Sequence, residues 1–312
     1  MISPLFSLTA ALAIASAPVP HQALPSAPLA PAASVPSTQP GGAYALRFDW
    51  KRDGALTAGA AALLLGSEVL LKDKLARSTC NWCDRNDLGE STLNAVDRWG
   101  ARIAGDADDQ RQARTWSNVV TVGLLPAGVL GAGYLAGRSS GSTYLTEDLL
   151  MVAQAVLFSS SANQVVKFAA GRARPFVHGM PEAERGLTES PSDNNMSFYS
   201  GHTNLAFALV TSVGTVAHLR GYKNAGWIWA VGLPLAATVP VLRMAAGKHY
   251  LSDVATGALV GSAFGVLVPL LMHPRGSPPP GILAGAAANE DVEKPRVNVS
   301  AGAGGISVSG VF

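Results

Sequence analysis

Six apolar stretches alternate with polar connections from residue 54 onward, near 55–71, 116–137, 147–170, 203–219, 225–242 and 251–272. Each is long enough for several helical turns. Several approach the roughly 20 residues a helix needs to cross a bilayer. None is uniformly apolar: Glu68 interrupts the first, and Gln154, Asn163 and Gln164 interrupt the third. Polar residues inside spanning helices face the bundle interior, where they mark function. The pattern therefore predicts an all-α helical bundle embedded in a membrane; the competing reading is a helix bundle buried in a soluble protein.

The flanks differ from this core. Leu5 to Ala17 form a short apolar run ending in small residues, as an export signal does, although no Lys or Arg precedes it. Residues 18–44 are rich in Pro, Ala and Ser and almost uncharged, and the linker they define is drawn to residue 53. The helical domain then covers 54–273. Within it, residues 72–115 are polar with both signs of charge, and Leu93 to Gly100 read as a short amphipathic surface helix. A Pro-rich run follows residue 273 and opens a tail, 274–312. There, Val297-Asn-Val-Ser and Ile306-Ser-Val-Ser alternate apolar and polar residues with glycines between them, which suggests a small β-hairpin.

Composition supports the membrane reading. Only 14% of residues are charged, against about 25% in soluble globular proteins. A net charge of +2 gives no reason to expect nucleic acid as a partner. The two cysteines, Cys80 and Cys83, are too few for a four-thiolate zinc site, and no histidine lies nearby. They form a local disulfide, which requires an oxidising compartment, or a pair of free thiols, or, as a third reading, a redox pair. No Asp, Glu and His cluster has metal-site spacing, so neither a metal nor another cofactor is expected.

Three segments place cations and histidines at the ends of apolar helices. In the first, Lys167 and Arg174 are seven residues apart, two helical turns, so they are expected to share a face before Pro175 discourages further helix. Two cations there make a pocket for a dianion, Arg as a planar fork and Lys as a point charge. A positive flank of a membrane span would look the same. The second, Ser200-Gly201-His202, reads as a helix start. Free N–H groups there bind anions, glycine lets an oxyanion approach the backbone, Ser200 adds a hydroxyl donor, and His202 could protonate a leaving oxygen. An ordinary cap with a surface histidine is the plain alternative. In the third, Arg243 precedes His249 and Asp253, which are four apart and hence on one helical face. The carboxylate can take the proton of one ring nitrogen and leave the other free to attack. A surface pair at that spacing would contribute only a few tenths of a kcal/mol.

In order and spacing, these segments resemble the signature of the type-2 phosphatidic acid phosphatase family, which shares a fold with vanadium haloperoxidases. That signature is Lys-x6-Arg-Pro, Pro-Ser-Gly-His and Ser-Arg-x5-His-x3-Asp. The first part is matched fully; Tyr199 and Leu242 replace the leading residues of the other two. The resemblance covers roughly 116–272. It implies His249 as nucleophile, Asp253 as its orienting group and His202 as general acid, then base. It assigns the phosphoryl oxygens to Lys167, Arg174, Arg243, Ser200 and the Gly201 N–H. The ring of Tyr199 is expected at the entrance.

The implied activity is a metal-independent phosphatase acting on a phospholipid, a polyprenyl pyrophosphate or a phosphorylated glycolipid. The alternatives are an exported soluble acid phosphatase, a vanadate-dependent haloperoxidase, and a non-enzymatic membrane or envelope protein. The basic connections near Arg138, Arg220 and Lys223 read as cytoplasmic, which places the acidic 176–196 loop and the site outside. A cleaved signal followed by six spans would instead place the site inside. That conflict disappears if 55–71 does not span, or if the N-terminal run is retained inside.

Overall fold

A computed structural model describes residues 43–275, 296–302 and 305–311. The signal-like run 1–17 and the linker up to residue 42 lie outside the described residues. The linker's last residues are held against the bundle: Tyr44 N donates to the Arg220 carbonyl at 2.9 Å, and Leu46 is buried. Helix α1, Trp50–Leu65, starts four residues ahead of the drawn boundary, because the Asp49 side chain accepts from Arg52 N and caps it. A π-helical turn, Gly66–Leu70, extends it.

The other helices follow the apolar pattern. After α2, Ala95–Ala101, capped by Asn94, come α3, Ala107–Asn118, capped by Asp106, and α4, Leu125–Ser139. A π-helical segment, Val119–Leu124, joins α3 to α4 in one unbroken run. Then come α5, Leu145–Ala170; α6, Gly201–Leu219; α7, Ala225–Ala245; and α8, Leu251–Met272. All six apolar stretches are thus helical. Beyond the bundle, β1, Arg296–Gly302, pairs antiparallel with β2, Gly305–Val311, with Arg296 opposite Val311 and Gly302 opposite Gly305.

Helix α6 is central, with α4, α5, α7 and α8 packed around it; α1 lies against α5, and α3 against α7. Arg220 pairs with Glu147 and Asp148, and Arg275 Nε donates to the Leu219 carbonyl, so these connections share one end of the bundle. The segments that lead into α6 and α8 lie at the other.

Helices α6 and α8 approach closely. Gly257, Gly261 and Gly265 recur every fourth residue on α8, and an added Cβ at each would sit 2.7 Å from Ser200 O, 2.3 Å from Asn204 O and 2.0 Å from Thr211 Oγ1. Small residues at this spacing let two backbones meet.

Polarity is turned outside in. Gln154, Ser159, Ser161, Asn163 and Gln164 of α5 are buried, with Ser159 Oγ donating to Asn204 Oδ1 at 2.7 Å and Gln164 Nε2 to Glu68 Oε2 at 2.7 Å. Leu65, Val122, Leu135, Val165, Val231, Leu259 and Leu271 face outward. Among the described residues, five helices are long and apolar enough to cross a membrane: Trp50–Leu70, Ala107–Ser139, Leu145–Ala170, Ala225–Ala245 and Leu251–Met272.

The α6–α8 contact yields a stability prediction. Gly261→Ala should destabilise the detergent-solubilised protein by about 1–3 kcal/mol through overpacking. Gly226→Ala, at a helical position with nothing within 4 Å of the new Cβ, should be neutral or slightly stabilising. Thermal unfolding of the two variants checks both signs.

Candidate active site

Helix α5 ends at Gly171, whose φ of +54° and N–H bond to the Lys167 carbonyl turn the chain out of the helix. Arg174 is therefore in extended backbone ahead of Pro175. It does not share a helical face with Lys167, contrary to the spacing argument. The two side chains still line the same cavity, because the chain folds back over the end of α5.

Ser200 caps α6, its hydroxyl accepting from Thr203 N and Thr203 Oγ1, and His202 lies in the first turn. Gly201 packs so tightly that a Cβ would lie 3.0 Å from both Lys167 Nζ and Asn163 Oδ1. Arg243 is in the last turn of α7, followed by Gly247 at φ +62°. His249 precedes α8, Tyr250 is its N-cap and Asp253 is in its first turn. His249 and Asp253 thus do not share a helical face either.

Lys167, Arg174, Arg243, His202 and His249 line one cavity of about 220 Å³, with Lys72, Arg114, Asn118 and Lys248 around them. Ser200, Gly201 and Asp253 lie behind this lining. His249 is buried, and its Nδ1 is 2.8 Å from the Ser197 carbonyl. A carbonyl only accepts, so Nδ1 carries the proton and Nε2 keeps its lone pair. Asp253 Oδ2 is 3.7 Å from Nδ1 and is not its hydrogen-bond partner. Asp253 instead accepts from Ser197 Oγ at 2.5 Å, Tyr250 N at 2.9 Å and Arg172 Nη1 at 2.7 Å. The tautomer expected from Asp253 is thus set by Ser197, a residue the spacing argument missed. His202 Nε2 is 2.8 Å from Asn118 Oδ1, an α3 residue equally invisible in the motif.

Tyr199 is a second correction. It is buried, its ring set edge-on against Phe198, and it does not line the cavity. Leu242 packs against the apolar core. Cys80 and Cys83 are joined in a disulfide.

The charge around the cavity is unbalanced. Lys72 pairs with Glu68 at 2.7 Å and Asp193 at 2.9 Å, Arg114 pairs with Glu189, and Arg174 reaches Asp193. Among the described residues, Lys167 and Arg243 have no carboxylate within ion-pair distance. Arg243 Nη1 donates to Ser117 Oγ at 3.1 Å, while its buried Nε has no partner. Burial, then Arg174, Arg243 and Lys167, holds His249 well below the usual histidine range. Burial, then Arg174, Arg114 and Arg243, pushes Lys248 down to about 8. Against the effect of burial, Arg174 and Lys72 hold Asp193 below the carboxylate range. Beside burial, each shift carries the positive potential of the cavity's cations, which an oxyanion would relieve. Among the described residues no group of three His, Cys, Asp or Glu is placed to hold a metal ion.

Sequence comparison covers the same part of the chain. Residues 148–277 match the PAP2 superfamily. A stretch of 122 residues is 37% identical to the bacitracin transport permease protein BcrC of Bacillus licheniformis, covering 38% of this chain and 54% of that protein. The chain therefore spans about half the length of that relative. The crystal structure of a transmembrane PAP2 type phosphatidylglycerolphosphate phosphatase from Bacillus subtilis aligns over 70% of this chain and 94% of its own, with 16% identity and a TM-score of 0.39.

The unsatisfied Arg243 gives a direct test. Charge-assisted hydrogen bonds contribute about 1.5–3 kcal/mol, so Arg243→Met should weaken inorganic phosphate binding about ten-fold or more. Arg275→Met, at the opposite end of the bundle, should leave it unchanged. Isothermal titration with phosphate reads both.

Proposed function

We propose that this chain is a metal-independent phosphatase that removes phosphate from a lipid-linked monoester or pyrophosphate through a phosphohistidine on His249. The observation that carries this reading is the cavity itself: a buried histidine with a free Nε2 lone pair lines it together with Lys167 and Arg243, which have no carboxylate partner among the described residues.

In this mechanism Lys167, Arg174 and Arg243 hold the phosphoryl oxygens. His249 Nε2 attacks phosphorus. The bond to the leaving oxygen breaks, its electron pair stays on that oxygen, and His202 supplies the proton. The dianion reverses the local charge, which favours a protonated His202. His202 then takes a proton from water, which attacks the phosphohistidine and releases phosphate. Asp253, 3.7 Å from Nδ1, supplies negative potential for the imidazolium-like phosphohistidine.

A lipid substrate is favoured by the outward apolar side chains of the helices around the site, such as Leu259 and Val165. They also weigh against a soluble exported enzyme. The disulfide favours an oxidising exterior for the site end. Arg220, Lys223 and Arg275 at the opposite end fit the cytoplasmic side. With α1 crossing, residue 43 then lies inside.

Phosphatidic acid, phosphatidylglycerol phosphate, a polyprenyl pyrophosphate and a phosphorylated glycolipid should be assayed in detergent containing EDTA. At least one should be turned over. Complete loss in EDTA with recovery in magnesium would identify a different phosphatase class, and turnover of small soluble esters alone would oppose the lipid reading.

The two histidines should separate by leaving group. His249→Ala should abolish turnover and acid-quenched phosphoenzyme even with p-nitrophenyl phosphate. His202→Ala should spare part of the rate with that substrate and lose it with an alkyl phosphate. Asp253→Asn should lose less than His249→Ala. Label retained in the His249 variant and lost in the His202 variant would reverse the assignment.

A further inference from the structure

Arg172, two residues before Arg174, heads the fully buried large side chains and does not border the cavity. Its Nε donates to Asp84 at 2.9 Å and its Nη2 to Asp97 at 2.7 Å. Its Nη1 donates to Asp253 at 2.7 Å and to Ser252 Oγ at 2.8 Å. The rings of Trp82 and Tyr250 cover it, at 4.0 Å and 4.3 Å from the guanidinium carbon. Burying a guanidinium is tolerable only with this degree of pairing, and a planar fork is required to reach three carboxylates at once.

The cage has two halves. Asp97 belongs to α2, and Tyr250, Ser252 and Asp253 to the start of α8. Asp97 also accepts from the backbone and hydroxyl of Ser252, both at 2.8 Å, which fixes that first turn. The outer half is Trp82, inside the loop closed by Cys80–Cys83, and Asp84, the residue directly after it. That loop docks onto the strand-like segment carrying Arg172: Asn81 N donates to Gly171 O at 3.0 Å, and Ala173 N to Trp82 O at 3.0 Å. Trp82 Nε1 also donates to Asp84 Oδ1 at 2.9 Å, so ring and carboxylate are held as a unit.

The contacts lead inward without a gap. The disulfide loop holds Arg172, Arg172 holds Asp253, Asp253 holds the Ser197 hydroxyl, and the Ser197 carbonyl holds His249 Nδ1. We propose that Arg172 is a positioning residue for His249, and that the Cys80–Cys83 loop is the outer wall of its cage, so that full turnover requires the disulfide. The proposal rests on the reading of His249 as nucleophile. Opening the loop lets water reach the guanidinium and releases one side of the fork. Asp253 and Ser197 then shift, and the imidazole loses its aim. Misplacement of an attacking group by about 1 Å can lower a rate about 100-fold. Lys167, Arg174 and Arg243, which hold the phosphate, make no contact with the fork, so binding should survive.

The test uses the full chain in detergent with p-nitrophenyl phosphate and inorganic phosphate as inhibitor. Cys80→Ser/Cys83→Ser, Trp82→Leu and Arg172→Lys should each lower kcat about ten-fold or more, with KM and the phosphate inhibition constant within about two-fold of wild type. Tris(2-carboxyethyl)phosphine should reproduce the loss in wild type and leave the double-serine variant unchanged. Because Arg172→Lys can unfold the outer end, Trp82→Leu, which removes one ring and no charge, keeps the test decisive. Wild-type kcat in both Trp82→Leu and Arg172→Lys would overturn the positioning role. Wild-type kcat in the double-serine variant and in the reduced protein would overturn the requirement for the disulfide. A parallel loss of phosphate affinity would make Arg172 a scaffold for the whole pocket and overturn the specific claim. Phosphoenzyme formed by His249→Ala would overturn the nucleophile reading itself, and this proposal with it.

Discussion

The close approach of α6 and α8 governs the geometry of everything above it. On the α8 side the contact is made by glycine, and on the α6 side largely by backbone oxygens of Ser200, Asn204 and Ala208. No side chain on α8 separates the two helices, so there is little room for one to slide on the other. Ser200 N also donates to the Asp253 carbonyl at 3.1 Å, tying the two helix starts together. His202 follows that junction on α6 and His249 precedes it on α8. The separation between the two imidazoles is therefore set by the least deformable part of the bundle, the backbone, and not by long side chains.

The cavity is the opposite kind of environment. It gathers like charges among largely buried side chains, where their repulsion is stronger than in water. Lys72 and Asp193 neutralise one wall, leaving Lys167 and Arg243 on the other. Such an arrangement persists only where the surrounding fold holds it, and here each cation comes from a different element: α5, the extended segment after it, and α7. The depressed proton affinities of His249 and Lys248 follow from this charge as well as from burial. Burial and the cavity's cations together thus disfavour a second proton on the His249 ring.

Much of this was legible in the sequence. The apolar runs gave all six long helices, and the spacing of Lys167, Arg174, His202, Arg243 and His249 gave the cavity's reactive lining. What failed was geometry at helix ends. Gly171 takes Arg174 off the helix, and Tyr250 starts α8 after His249, so helical-face arguments at both places gave the right neighbours for the wrong reason. Ser197 acts through its carbonyl, which carries no sequence signal. Tyr199 looked like a rim residue because it adjoins the motif, yet the turn directs it inward. The Arg172 cage was invisible because Asp84 and Asp97 are 88 and 75 residues away along the chain. A charged pair at that separation leaves no periodicity to read.

The unbroken helix formed by α3 and α4 works as a depth gauge. Its 33 residues, Ala107–Ser139, extend about 50 Å. Asn118, beside His202, lies part-way along it. Below Asn118 the helix continues for about 32 Å, close to the thickness of a bilayer's hydrocarbon layer. Above it, about 16 Å of helix lies against α7 and carries Arg111 and Arg114. In a bilayer aligned with the lower part, the histidines lie at the height of the headgroups. Lipid phosphates sit at that height in a bilayer, so the substrate proposed above would reach the cavity by lateral diffusion, with its tails still among their neighbours.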